Sequence, residues 1–571
     1  MAEERTERGR RSPGLRPRRV LPLAAAGLVV AGALVLPSLA APGAPTALGP
    51  PRFVEEAGAA GIDERYSGDF PFFVGGGVAV LDCDTDGRPD LYLAGGETPA
   101  ALYRNESPLG GAFRFERLAD PTTDLTAVTG AYPIDIDGDR RQDLVVLRRG
   151  ENVLLRALGD CRFERANERW GFDGGSAWTT AFSATFEAGA SWPTLAFGNY
   201  LEEPEPGAAC SPGALVRPNE GGDGFGPPIP LAPSWCTLSV LFSDWDRSGR
   251  RDLRVSNDRH YYRDTSDGAE QLWRIEPGAP PRQYTAADGW QQLRIWGMGI
   301  ASYDLTGDGY PEYFLTSQGD NKLQTLAAGP ERPTFADIAL RLGVTAHRPY
   351  LGDTTLPSTA WHPEFDDLNN DGWVDLFITK GNVEAQLDYA DRDPSNLLLG
   401  SPDGAFREAG EEAGIARFAR SRGAAVVDLN GDGLLDIVVV NRRQNVFLWR
   451  NVGAGSASAP TAMGHWLAVI PIDPTSPNRD AIGAWLEVRF GDRLVRRERT
   501  LGGGHASGAL GPIHVGLGSA TRAEIRVGWP DGVWTPWQGV DADRVVVVDR
   551  TANGLRESPG WGRSGWGGSS P

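Results

Sequence analysis

The sequence predicts an all-β chain: a seven-bladed β-propeller followed by a small β-sandwich-like domain. Three observations carry that expectation. An acidic nine-residue phrase returns along the chain, most clearly as DCDTDGRPD at 82–90, DLNNDGWVD at 367–375 and DLNGDGLLD at 428–436. Each copy lies between short apolar runs rich in β-branched and aromatic residues, such as GVAVL and LYLA around the first, so the unit reads strand, acidic turn, strand. The copies recur about every 60 residues, room for one small sheet per repeat, as in a propeller blade.

The weaker copies fill the gaps. They read DIDGDRRQD at 135–143, DWDRSGRRD at 244–252 and DLTGDGYPE at 304–312. A seventh survives only as a register, with Phe186 and Thr194 at positions 1 and 9 ahead of LAFGNY, and predicts a third blade without metal. A single blade cannot bury both of its faces, so the ring has to close. Phe53 and Gly61 have the spacing of Phe335 and Gly343 and of Phe406 and Gly414, whereas no such strand follows FLWRNV in the last blade. The strand from Phe53 is therefore expected to complete the seventh blade, giving a propeller over 52–452.

Within each phrase, oxygen side chains stand at positions 1, 3, 5 and 9, with glycine at position 6 to turn the backbone. Oxygens converging from one tight turn suit a hard cation such as Ca²⁺, which takes roughly 6–8 oxygen ligands at about 2.3–2.6 Å. Without an ion the clustered carboxylates would repel one another. The expected ligands are Asp82, Asp84, Asp86 and Asp90; Asp135, Asp137, Asp139 and Asp143; and Asp244, Asp246, Ser248 and Asp252. Three further sets are Asp304, Thr306, Asp308 and Glu312; Asp367, Asn369, Asp371 and Asp375; and Asp428, Asn430, Asp432 and Asp436. Up to six Ca²⁺ ions follow. An EF-hand is excluded, because its glutamate at position 12 is replaced by Leu93, Ile378 or Val439 and the flanks are strands.

The chain has 571 residues and a net charge of −19, which argues against nucleic acid as a partner. An arginine-rich start, an apolar stretch and a small-residue exit make residues 1–41 a signal peptide or an N-terminal membrane anchor, placing the rest in an extracytoplasmic compartment, periplasmic or secreted. Cys210 and Cys236 flank a Pro/Gly-rich excursion and are expected to form a disulfide, whereas Cys83 and Cys161 remain unpaired, their plain reading being two buried free thiols. A Gly/Ser linker at 453–463 leads to a separate β module at 464–549, and a low-complexity tail fills 550–571. Glycine-bracketed His505 and His514 in that module read as packing residues.

These phrases resemble the FG-GAP/VCBS repeats of integrin α-chain propellers. RDAIGAWLEV, GGGHASG, HVGLG and VGWPDG resemble an ASPIC/UnbV domain, as in the cartilage acidic protein family. The resemblance implies a calcium-binding propeller with a β module and a role in extracellular interaction or adhesion. Arg140, Ser248 and the emptied third loop depart from the pattern. The expected function is a non-catalytic interaction scaffold with a protein or glycan partner, touching a membrane only if the leader is uncleaved. A carbohydrate-binding lectin is the alternative, followed by an enzyme using the channel or the cluster His260, Tyr261, Tyr262 and Asp264.

Overall fold

A computed structural model describes residues 47–259, 267–345, 358–384, 391–552 and 554–557. The leader, the 260–264 cluster and most of the tail lie outside the described residues.

Seven four-stranded antiparallel sheets follow one another in sequence order. Their innermost strands are Val78–Leu81, Val128–Ile134, Thr179–Thr185, Thr237–Ser243, Gly297–Tyr303, Ala360–Asp366 and Ser421–Val427. Each touches the next, and the seventh touches the first, so the ring is closed. The strand Phe53–Glu55 pairs antiparallel with Phe447–Asn451, Phe53 opposite Asn451, and supplies the outermost strand of the seventh blade as the spacing predicts. Aromatic contacts fill the gaps between blades. Tyr132 meets Phe182 at 5.1 Å between blades two and three, and Trp245 meets Phe335 at 6.2 Å between blades four and five. Trp361 and Trp449 are fully buried.

The third blade keeps its expected register, with Thr194 opening the second strand. Its turn at the same register is held by an ion pair between Arg217 and Glu187 at 2.6 Å, and the Thr194 hydroxyl donates to the same Glu187 oxygen at 2.8 Å.

Cys210 and Cys236 are bonded as expected. Cys83 and Cys161 also form a disulfide, which corrects the reading of two free thiols. The turn at Cys161 between the outer strands of blade two reaches the first acidic loop, and the Cys161 N–H donates to the Cys83 carbonyl at 3.0 Å. With a sequence separation of 78, the link removes about 4.5 kcal/mol of unfolded-chain entropy on loop-closure arguments.

The C-terminal module is a sandwich of two four-stranded sheets. One orders Ile513–Gly518, His465–Ile472, Arg544–Asp549 and Leu555–Glu557, and the other orders Arg493–Glu498, Trp485–Phe490, Arg522–Gly528 and Gln538–Asp541. Leu467, Val488, Val515, Ile525 and Val546 lie in the core between them. The module packs against the propeller, with which it forms one compact unit. It sits on the face that carries the acidic turns. Arg479 donates to the Gly138 carbonyl at 2.7 Å, Arg251 to that of Gly483 at 3.1 Å, and His514 Nε2 lies 2.6 Å from Asn370 Oδ1.

Candidate functional site

The acidic turns share one construction. The carboxylate at position 9 starts the second strand of its blade and is buried. In five of the six acidic loops one of its oxygens accepts the N–H of position 2, as Asp90 does from Cys83 at 2.9 Å and Asp436 from Leu429 at 2.8 Å. In loops one and seven its other oxygen accepts an N–H from the third strand, from Asn105 and Asn451 respectively, each at 2.8 Å. The carboxylate at position 1 accepts the N–H of position 6, at 3.0 Å for Gly87 to Asp82 and 2.8 Å for Gly433 to Asp428. Arg140 occupies position 6 of the second loop with φ 74°, a left-handed conformation that glycine tolerates better.

This construction presses like charges together out of water. One oxygen each of Asp82, Asp84 and Asp86 lie within 4.8 Å of one another, as do oxygens of Asp135, Asp137 and Asp143. Burial, reinforced by Asp86, pushes Asp82 up to about 7, and burial with Asp480 does the same to Asp135. Burial with Asp432 raises Asp428 to about 7, and burial with Asp246 raises Asp244 to about 6. Burial alone accounts for most of the rise of Glu312 to about 7 and holds Asp90, Asp143 and Asp436 well above the carboxylate range. Desolvated oxygens that resist ionising together fit a divalent cation, whose charge would reverse those shifts. Cys83 and Cys161 also lie near Asp90, but their sulfurs are bonded to each other and offer no thiolate.

Sequence reasoning missed what fills the channel. From the docked module, residues 501–509 run down the propeller axis and meet all seven inner strands. Ser183 Oγ donates to the Leu501 carbonyl at 2.6 Å, Gly503 N–H to Val240 O at 2.8 Å and Gly504 N–H to Ile300 O at 2.7 Å. Ser507 bridges to Ala131, and its Oγ accepts the Val78 N–H at 3.1 Å. Gly508 and Ala509 add a short parallel strand to blade one. Glycines admit this plug: a Cβ at Gly77 would lie 1.8 Å from the Ala506 oxygen, at Gly130 2.2 Å from it, and at Gly423 2.2 Å from Ser507 Oγ. Those glycines, each five residues before the first aspartate of its loop, are the signal in the sequence that could have revealed the plug.

His505 is the buried centre of the plug, and its two ring nitrogens have distinct roles. Nε2 accepts the Gly75 N–H at 3.1 Å, so the proton sits on Nδ1, 3.3 Å from the Met298 carbonyl. The backbone N–H of His505 donates to His362 Nδ1 at 3.1 Å, and its ring packs on Trp361 at 4.8 Å. Burial, with Arg422 nearby, lowers His505 from 6.5 to about 3. The unfolded imidazole takes its proton near 6.5, so this contribution to stability is present above pH 6.5 and is lost as pH falls toward 3. His514, lowered by burial to about 4, acts in the same direction. His505→Asn is expected to flatten the fall of melting temperature between pH 6.5 and 4. An acid limb identical to that of the parent would refute this role.

A cavity of about 240 Å³ remains on the axis between plug and module. Charged groups in its wall are committed within the protein. Glu498 accepts from Ser243 Oγ and the Asp244 N–H, and Arg497 pairs with Asp366 at 3.0 Å.

Residues 82–146 and 367–439 match the FG-GAP-like repeat family, and residues 474–554 match the ASPIC and UnbV family. No curated protein matches the chain in sequence. Among solved structures, an Agrocybe aegerita lectin, solved for its recognition of non-reducing terminal N-acetylglucosamine, is 17% identical with a TM-score of 0.36, over 64% of this chain and 88% of the lectin. AofleA from Arthrobotrys oligospora is 11% identical with a TM-score of 0.33, over 60% of this chain and 86% of its own. Such values transfer no property from those proteins to this one. The chain therefore carries FG-GAP-like repeats in its propeller and an ASPIC and UnbV domain at its C-terminal end.

Proposed function

We propose that the chain is an exported, calcium-organised interaction scaffold without catalytic activity. The seating of the C-terminal module supports this reading most. It covers the acidic-turn face and fills the axis, so Ca²⁺ in the turns would stiffen the platform that carries it. The opposite ends of the same strands are left to meet a partner. They bear longer connections, including the exposed stretch 202–206 beside the Cys210–Cys236 disulfide. Loops held on a rigid frame are where binding residues concentrate.

The extracytoplasmic setting is supported by pairing of all four cysteines, since disulfides persist in oxidising compartments. No helix among the described residues is long and apolar enough to cross a membrane. A lectin role would need exposed aromatic faces. Among the described residues, Trp296 and Trp534 are the exposed tryptophans, at 40% and 36%.

Cross-linking in the extracytoplasmic fraction, with Ca²⁺ and with chelator, tests the reading. Cross-links are expected on 202–206 and are expected to vanish with chelator. Cross-links confined to the C-terminal module, or indifferent to chelator, would overturn it.

A further inference from the structure

The six acidic loops differ in the company their carboxylates keep. In loop two, Arg156 reaches across from the third strand of the blade. Its Nε lies 2.6 Å from Asp137 Oδ2 and its Nη2 2.7 Å from Asp139 Oδ2, so one guanidinium bridges positions 3 and 5. All three side chains are at least four-fifths covered. In loop four, Arg250 bridges positions 3 and 9, at 3.2 Å from Asp246 and 3.0 Å from Asp252. Trp245 Nε1 and the Tyr284 hydroxyl complete the shell of Asp252, at 2.9 and 2.7 Å. In loop five the cation comes from the module: Arg496 pairs with Asp304 at 3.0 Å and donates to the Gly307 carbonyl at 3.2 Å.

The other three loops lack such a bridge. Among the described residues, no ion pair involves Asp367, Asp371, Asp375, Asp428, Asp432 or Asp436. In loop one, Arg88 approaches only Asp86, at 3.4 Å, and both side chains are one-third exposed. A guanidinium fixed between two carboxylates supplies positive charge and directed hydrogen bonds at the point where an ion would supply its own. A calcium ion entering loop two or four would have to displace it from both carboxylates, leaving Arg156 only the more distant Glu164 at 3.7 Å.

We infer that Arg156, Arg250 and Arg496 are built-in substitutes for the metal in loops two, four and five, so that only loops one, six and seven take up calcium. This rests on the calcium reading above and sharpens it from up to six ions to three. It also accounts for Arg140 and Ser248: a loop whose cation is part of the chain no longer needs the full ligand pattern. The emptied third loop is the end of the same series, with Arg217 on Glu187 at 2.6 Å and no ligand set left.

Native mass spectrometry and calorimetry of the full chain titrated with Ca²⁺ alone test this. The parent is expected to take up three ions and R156M/R250M five, the variant melting below the parent in chelator and recovering with Ca²⁺. D137N/D246N is expected still to take up three, and it decides the matter if the arginine variant does not fold. Uptake of five or six ions by the parent, or a loss of two ions in D137N/D246N, overturns the arginine assignment while leaving the calcium reading intact. Uptake of none by the parent overturns the calcium reading and this inference with it.

Discussion

Chelating calcium at pH 8 is expected to lower the melting temperature by about 8 °C, and at pH 5 by far less. A ligand at 100 times its dissociation constant stabilises the folded state by about 2.7 kcal/mol, so three such sites give about 8 kcal/mol. A folded body of about 500 residues melts with an entropy of about 1 kcal/mol/K, which turns that sum into about 8 °C. The pH dependence follows from the loops themselves. Asp82 and Asp428, raised by burial and by Asp86 and Asp432, titrate at about 7 in the folded chain without cation and at 3.8 when unfolded. Between those values the folded chain holds the extra protons, so this contribution is complete below 3.8 and lost as pH rises through 7. Cation binding needs the carboxylates bare and expels those protons, so affinity grows over the same window. His505 and His514 affect both samples alike and cancel in the difference. Melting curves with and without chelator at the two pH values measure it; an equal shift at both would sink the explanation.

Gly77→Val is expected to cost about 3 kcal/mol or more and to unseat the plug. The glycine lies just before the inner strand of blade one. The added Cβ would stand 1.8 Å from the Ala506 oxygen and 2.4 Å from its carbonyl carbon. Backbone on both sides blocks relief by rotamer change, so either the plug or the blade has to move. Limited proteolysis should then cut within 501–509, which the native ring shields, and the melting temperature should fall. Gly58→Ala meets nothing within 4 Å and serves as the matched control. Resistance of 501–509 to protease in Gly77→Val would show that the plug is not held by this contact.

The blade count, the register of the acidic turns and the closing strand from Phe53 were all legible, because each is written as a local spacing. Even the degenerate third copy kept Phe186 and Thr194 in place. What escaped depends on parts of the chain that meet only across blades. Cys83 and Cys161 belong to neighbouring blades, and only the turn carrying Cys161 brings them together. Arg156 lies on the third strand of its blade, far from its partners in sequence and one among 56 basic residues, so no spacing singles it out. The plug had a signal in Gly77, Gly130 and Gly423, but a repeated glycine on its own does not say what approaches it. The seat of the C-terminal module on the propeller escaped for the same reason, since its hold lies in contacts rather than in covalent continuity.

That hold has a mechanical outcome. A segment that enters a closed ring and leaves it on the module's side behaves like a stopper in a bottle neck. Severing the chain at 454–460 would leave two polypeptides that still migrate together in native separation and part only in denaturant. Damage to the connecting segment would therefore be mechanically silent.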